Sequence, residues 1–353
     1  MRRRRTDKTD DLESQIKRHA RTKKEATVFE PSKGDFETVI STGSTLLDLA
    51  ISGKRVHGGG LPVGILVEAF GPSGSGKTVL LCEIAGYVQR LNGQVMFHDP
   101  EARLNKTFAQ VFDLDTDAID LQAPDKIPEV FKSLREWDVD PSVPNGVFTD
   151  SLAALSTDME MDTDDGDKMG MRRAKEFSEE LRKSCRIIAK KKLLMVASNQ
   201  VRVNQNAGPY GQKYVSPGGE AVGFYSSVRL RFGTPTKIKI KKKYKGKDIE
   251  KVVGIETEIE VFKSSVDAPY RKATVIIYFD YGIDDIRANL QYVKRYTGAS
   301  TYMVGNTKVG QSLDDAVAAV ESSGLEKKLK EQTISIWEII EDQFKTERKK
   351  KER

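Results

Sequence analysis

The eight residues "GPSGSGKT", Gly71–Thr78, constrain this chain more than any other stretch. They fit the pattern G-x-x-x-x-G-K-[ST] in full, between an apolar run, "GILVEAFG" (64–71), and an amphipathic one, "TVLLCEIAGYVQRL" (78–91). A strand that turns through glycines into a helix aims successive backbone N–H groups, and the positive end of the helix, at one spot. The expectation is a P-loop that holds a nucleoside triphosphate, with Gly71, Pro72, Ser73, Gly74, Ser75, Gly76 and Val79 around the phosphates. Lys77 then reaches the β and γ phosphates, and Thr78 holds Mg²⁺.

A P-loop sits on a parallel, helix-covered sheet, and the pattern from Thr38 to Tyr281 agrees, with short apolar runs alternating with amphipathic helices. "QVMFHD", "GVFTD" (146–150) and "LLMVAS" (193–198) are further buried strands. Helical spacing puts Leu81, Ile84, Ala85, Val88 and Leu91 on one inner face, and Ala174, Phe177, Leu181, Cys185 and Ile188 on another. Beyond residue 225 the text changes to period 2 ("SSVRLRF", "TKIKIKKKYK", "GIETEIEVF", "ATVIIYFDYG"), which marks antiparallel strands with one wet face. "KGKD" (245–248) reads as a hairpin tip. The expected fold is α/β: a P-loop NTPase core with a mainly parallel central sheet and an antiparallel extension, an N-terminal helix and a small C-terminal α/β domain. The boundaries are 1–36 for the basic helix (7–25, with Leu12, Ile16 and His19 on one side) and linker, 37–283 for the core, 284–344 for the small domain and 345–353 for a basic tail.

Charge is informative once located. Residues 1–26 hold ten Lys/Arg against five Asp/Glu, and 344–353 hold six against two, so both ends are basic while the body is not. Basic ends suit a polyanion partner, although such runs also serve as solvated arms. No apolar run approaches the roughly 20 residues of a membrane span. No apolar segment follows the basic N-terminus as in a secretory signal, so a cytoplasmic protein without a membrane partner is expected. Cys82 and Cys185 fall in helical apolar patterns and read as reduced core thiols. His19, His57 and His98 form no ligand constellation.

Two more carboxylate positions bear on a nucleotide site. Asp150 closes the strand "GVFTD", with Ser151 beside it, where a P-loop needs a metal-side carboxylate. "FHDPE" places Asp99 and Glu101 at the carboxyl edge of the sheet, where one can take a proton from an attacking water or simply cap a helix. The segment "NQVRVNQNAGPYGQKYVSPGG" (199–219) leaves a buried strand for some twenty residues of Gly, Pro, Asn, Gln and Tyr. Loops that long inside a domain are uncommon and usually functional or disordered.

Taken together and in order, "ETVISTGSTLLDLAI…GGGLPVG", "GPSGSGKT", "FHDPEARLN", "TDSLAALS", "DGDKMG", "ASNQVR" and "PGGEAVGFYSSVRLRF" resemble the RecA-type homologous recombinases over roughly residues 37–345, as a diverged member. The resemblance implies a RecA-like core and an ATP-dependent, DNA-stimulated ATPase. It implies a filament on single-stranded DNA that pairs homologous duplex DNA and exchanges strands, self-associating and served by mediator or single-strand-binding proteins. Glu101 matches the family's water-activating glutamate and Asp150 its Mg²⁺-side aspartate. Gln200 matches the glutamine that senses the γ-phosphate. Phe108 stands where the family has a tyrosine stacked on adenine, and Asn105 at a position near the base. The long loop is similar to the second DNA-binding loop, with Arg202 and Lys213 for phosphates, Tyr210 or Tyr214 for bases, and Gly218 and Gly219 at its far anchor. The first DNA loop is expected near 158–171. Its acidic run cannot grip phosphate, which leaves Met169, Gly170, Arg172 and Arg173.

Departures from the family accompany these matches. Lys263 matches the first of two lysines that reach a neighbouring subunit's γ-phosphate, but Ser265 occupies the second position. The tail is basic where the family commonly ends acidic. Residues 237–251 carry eight lysines against two acids, either a solvated strand face or a duplex-DNA surface. Two other functions remain open at this level: a helicase-like motor on the same fold, and a weakly hydrolysing protein that coats single-stranded DNA.

Overall fold

A computed structural model describes residues 38–157, 169–203, 214–215 and 220–348. The N-terminal helix expected over 7–25, the first DNA loop over 158–168, Tyr210, Lys213, Gly218 and Gly219, and the end of the basic tail lie outside the described residues. The described chain divides into two compact units, one of residues 38–55 and 59–284, the other of 285–348 with the short segment 56–58.

One ten-stranded sheet organises the larger unit. In chain order its strands are β1 (Ile65–Gly71), β2 (Val95–His98), β3 (Asp120–Gln122), β4 (Asn145–Thr149) and β5 (Leu193–Gln200). These are followed by β6 (Val228–Phe232), β7 (Thr236–Tyr244), β8 (Lys247–Ser264), β9 (Lys272–Tyr278) and β10 (Gly282–Ile283). Across the sheet the order is β10-β9-β8-β6-β1-β5-β4-β2-β3, and β7 pairs with β8 beyond the end of β6. From β6 to β3 every pairing is parallel, and from β6 outward through β8, β9 and β10 every pairing is antiparallel. The mainly parallel core with an antiparallel extension is therefore as expected.

The parallel strands read as unbroken apolar runs because both faces of the sheet are covered. On β5, Leu194 and Val196 enter one core while Leu193, Met195 and Ala197 enter the other. Helix Lys77–Arg90 covers the first face with Leu81, Ile84, Ala85 and Val88, all fully buried. Helices Ile127–Glu136 and Met169–Lys190 cover the second with Val130, Phe131 and Leu134, and with Phe177, Leu181 and Ile188. Each large aliphatic or aromatic side chain so buried contributes roughly 1.5–3 kcal/mol. Leu91 departs from its expected place: it is the C-cap of its helix and 36% exposed, because the helix ends at Arg90. Cys82 is buried, Cys185 only half-buried, and both are free thiols.

The "STGS…LD" stretch makes a polar knot. Ser44 caps helix Thr45–Ser52, accepting from Leu47 N. The buried Asp48 accepts from Ser41 Oγ (2.5 Å), Thr42 N (2.8 Å) and Thr42 Oγ1 (2.7 Å). The "GGG" that follows lies against this helix: Gly59 has φ +70°, and a Cβ there would stand 2.0 Å from the Asp48 carbonyl oxygen. Only glycine fits that approach.

The smaller unit consists of helix Asp285–Thr297, a hairpin of strands Tyr302–Val304 and Thr307–Gly310, and helices Leu313–Ser322 and Glu326–Gln343. Leu290, Val293, Val304, Ala316, Val320, Leu329 and Ile336 form its own core. Among the described residues no helix is long and apolar enough to cross a membrane.

Candidate functional site

At the carboxyl end of β1 the chain turns through Gly71–Gly76 into helix Lys77–Arg90. Gly71 has to be glycine, since a Cβ would lie 2.7 Å from the Phe232 carbonyl oxygen on the neighbouring β6. Gly74 and Gly76 take φ of +69° and +96°, the left-handed region that lets the turn curl its amides inward. Ser73 to Val79 wall a cavity of about 210 Å³ at this edge, completed by Arg103, Asp150, Ser151, Ser198, Gln200, Ile255, Ile277 and Phe279. Gly71 and Pro72 are not among its walls; their carbonyls accept from Lys77 Nζ at 3.1 and 2.7 Å. Burial lowers the Lys77 pKa, and the nearby Asp150 carboxylate works in the opposite direction.

Thr78 Oγ1 donates to Asp150 Oδ2 at 2.6 Å, and Ser198 Oγ donates to Asp150 Oδ1. The carboxylate is thus locked between the first turn of the P-loop helix and the end of β5. A cis peptide bond joins Asp150 to Ser151. Ser151 Oγ donates to Glu101 Oε1 at 3.4 Å, and Arg103 pairs with Glu101 Oε2 at 2.5 Å. Asp99 behaves differently: it is buried and accepts from Leu104 N at 2.7 Å, shaping the turn that presents Glu101. The two acids of "FHDPE" are thereby separated into a turn former and a carboxylate that stands outside the cavity walls and meets them through Ser151 and Arg103.

A glycine turn leading into a helix N-terminus, a buried lysine and a hydroxyl–carboxylate pair are the donor set that a triphosphate and a hard divalent cation require. ATP with a divalent metal fits these residues.

Other expected residues take varied places. Gln200 ends β5 directly opposite Gly71 in the parallel register, so the phosphate turn and the root of the 201–219 segment are neighbours across one pairing. Asn105 and Phe108 stand outside the cavity walls. Asn105 caps the short helix Lys106–Gln110, its Oδ1 accepting from Phe108 N at 2.9 Å, and the Phe108 ring meets Phe112 edge-on at 4.9 Å. Lys263, on β8, donates from Nζ to the carbonyls of Gly223 and Phe224, each at 2.8 Å. Those carbonyls belong to helix Glu220–Tyr225, which resumes the chain after the loop. Burial, followed by the nearby Arg229, lowers the Lys263 pKa. Ser265 turns back on its own chain, Oγ donating to Ser227 O at 3.3 Å.

Of the DNA candidates, Met169 and Gly170 open helix Met169–Lys190, and Arg172 on its first turn is half-buried. Arg173 is turned inward instead: its guanidinium donates to the carbonyls of Leu152 and Ala153 at 3.0 and 2.8 Å. Arg202 and Tyr214 lie on the short paired strands Arg202–Val203 and Tyr214–Val215 that close the base of the loop. Sequence reasoning missed Arg103, Ser198, Ile255, Ile277 and Phe279 as cavity residues. Arg103 had a signal, being a cation two residues beyond Glu101, whereas Ser198 and Phe279 are brought in only by the sheet.

Comparison with known proteins agrees with this arrangement. The family model described as the RecA N-terminal domain matches residues 14–284. The chain is 32% identical to Protein RecA of Borrelia turicatae over 282 residues, 79% of this chain and 74% of that protein. It is 32% identical to Protein RecA of Wolbachia pipientis over 313 residues, 87% and 81% of the two chains. With Protein RecA of Deinococcus radiodurans it shares 29% identity over 307 residues, 84% and 79% of the two. The P-loop edge described above lies within the residues that the family model matches, and the chain belongs to the RecA family.

Proposed function

We propose that this protein is a DNA recombinase: an ATPase that assembles as a filament on single-stranded DNA, pairs it with homologous duplex and exchanges strands. The observation that carries the reading is the pairing of Gly71 with Gln200. A shift of the phosphate turn is felt one strand away, at the residue from which the 201–219 segment departs.

Each residue then has a task. Lys77 and the turn amides hold the phosphates, and Thr78 with Asp150 holds Mg²⁺, which supplies charge neutralisation when bound. Glu101 accepts a proton from the attacking water, and Ser151 and Arg103 orient its carboxylate. Gln200 reports nucleotide state to the DNA loop, where Arg202, Tyr210, Lys213, Tyr214, Gly218 and Gly219 meet the strand, joined by Met169, Gly170 and Arg172. Asn105 and Phe108 flank the base, Lys263 reaches the neighbouring subunit's nucleotide, and the N-terminal helix joins subunits. The domain limits at 36, 283 and 344 divide these tasks.

The test is ATP turnover with and without single-stranded DNA, alongside negative-stain images of the same samples. Stimulated turnover with helical filaments supports a recombinase. Closed rings would identify a helicase-like motor, and filaments without turnover a coating protein.

A further inference from the structure

Strand β8 runs for 18 residues, far more than the sheet needs. Its pairing with β9 ends at Gly254, opposite Tyr278. From Val252 outward it pairs, among the described residues, with β7 alone, and the two join through the turn Lys245–Gly246, whose φ of 47° and 78° suit a tight hairpin. Residues 239–252 therefore form a free two-stranded arm about 20 Å long, at ~3.3 Å per residue. Because β7 continues in the direction of β6, and β6 is parallel to β1, the arm leaves the sheet at the P-loop edge, from which the 201–219 segment also departs.

The two faces of the arm differ. Cross-strand pairing places Lys239, Lys241 and Lys243 on one face, opposite Val252, Glu250 and Asp248. Both acids of the arm are on this side, and Glu250 pairs with Lys239 at 2.8 Å and Lys241 at 3.4 Å. The other face carries Ile240, Lys242 and Tyr244, opposite Lys251, Ile249 and Lys247. It holds three lysines, no acid, and Ile240, Tyr244 and Ile249 exposed by 39, 62 and 41%. Lysines that merely deter edge pairing would not need acids confined to one side, nor three exposed apolar groups on the other against the single Val252 beside the acids.

We propose that this arm is a grip for duplex DNA, its acid-free face lying in the major groove. A two-stranded ribbon fits that groove, about 12 Å wide. Lys242, Lys247 and Lys251 then reach the phosphates on its walls, while Ile240, Ile249 and Tyr244 contact base edges and thymine methyls on its floor. The arm brings a partner duplex to the edge where the single strand is held. This rests on the recombinase reading, but duplex affinity is measured without turnover, so the two fail separately.

The experiment titrates a short mixed-sequence duplex against the full chain at salt between about 50 and 200 mM. The variant Lys242→Gln/Lys247→Gln/Lys251→Gln is compared with Lys239→Gln/Lys241→Gln/Lys243→Gln. The first is expected to lower duplex affinity at least tenfold near ~0.1 M salt and to flatten the log–log salt dependence by up to about 3. Turnover stimulated by single-stranded DNA persists in it, which shows that the core is folded. The second variant changes duplex affinity less, since two of its lysines are already paired with Glu250. Unchanged duplex affinity in the first variant overturns the proposal. So do equal losses in both variants, which would reflect charge alone, and a loss confined to binding of polyglutamate, which would reveal an acidic protein as the partner.

Discussion

Arg229 on β6 donates from Nε to Glu68 on β1 at 2.6 Å, and the Glu68 side chain is sealed from solvent. Asn199, one residue before Gln200 on β5, donates to the other carboxylate oxygen at 3.0 Å. The guanidinium faces Phe70 at 4.5 Å, and a Cβ on Gly223 would lie 2.8 Å from it. One buried ion pair thus joins the P-loop strand, the strand ending at Gln200 and the helix that follows the loop. Arg229→Met strands the Glu68 charge and should cost about 3–5 kcal/mol in urea unfolding. The double variant Glu68→Gln/Arg229→Met should recover much of it, and equal losses in the single and double variants would deny the coupling.

His98 makes stability fall in acid. It is buried between Thr149 Oγ1 (3.3 Å) and Ser133 Oγ (2.8 Å), and burial pushes its pKa down to about 4 from 6.5. Below pH 6.5 the unfolded chain binds a proton that the folded chain refuses, so stability is full above 6.5 and declines as pH falls toward 4. The loss attributable to this residue is about 3 kcal/mol at most, at 1.36 kcal/mol per unit. Urea midpoints of the unaltered chain and His98→Asn across that range check it: the variant's curve should be flatter.

Glu101 and Lys77 separate chemistry from binding. Glu101→Gln should lower stimulated turnover about 10²–10⁴-fold while nucleotide still binds. Lys77→Ala should abolish turnover. Normal hydrolysis by the Glu101 variant would remove it from the base role.

Asp150 orients Thr78 through the 2.6 Å hydrogen bond. Asp150→Asn should raise the Mg²⁺ concentration for half-maximal turnover by about 10–100-fold, the usual cost of disturbing a ligand's support. Chelation with EDTA should stop turnover in the unaltered chain. A variant with an unchanged Mg²⁺ requirement would contradict this arrangement.

The thiols should differ in reactivity. Burial, aided by the Asp150 carboxylate, raises the Cys82 pKa, and its side chain has no solvent contact. Cys185, half-buried, is raised by burial as well. A disulfide reagent should titrate Cys185 slowly in the native chain and Cys82 only on unfolding. Rapid modification of Cys82 would show that the P-loop helix opens.

Much of the parallel half was legible because its rules are local. Val67, Leu194 and Val196 read as buried strand, and the Gly-Lys-Thr turn permits few conformations. Leu91 was misplaced because helical periodicity does not say where a helix stops. The charge of Arg173 suggests DNA, and only the fold brings its guanidinium to the carbonyls of a turn about twenty residues away in sequence. The Glu68–Arg229 pair was invisible for a similar reason: a carboxylate inside an apolar run shows its partner only when β6 is laid beside β1. The alternation in "KIKIK" announced a strand, but the division of the arm into unlike faces depends on register with β8.

Strand β8 also has a mechanical consequence. One end carries Lys263 against the helix Glu220–Tyr225 that follows the 201–219 segment, and the other end carries the tip of the arm. The tip stands about 23 Å beyond the last pairing with β9, at ~3.3 Å per residue, so a tilt of about 5° at the anchored end sweeps it by about 2 Å. A small adjustment beside the loop is thereby carried to a distance at slightly less than its own size, since Lys263 stands nine residues from Gly254 at the edge of the sheet and the tip seven, as by a lever whose fulcrum is that edge.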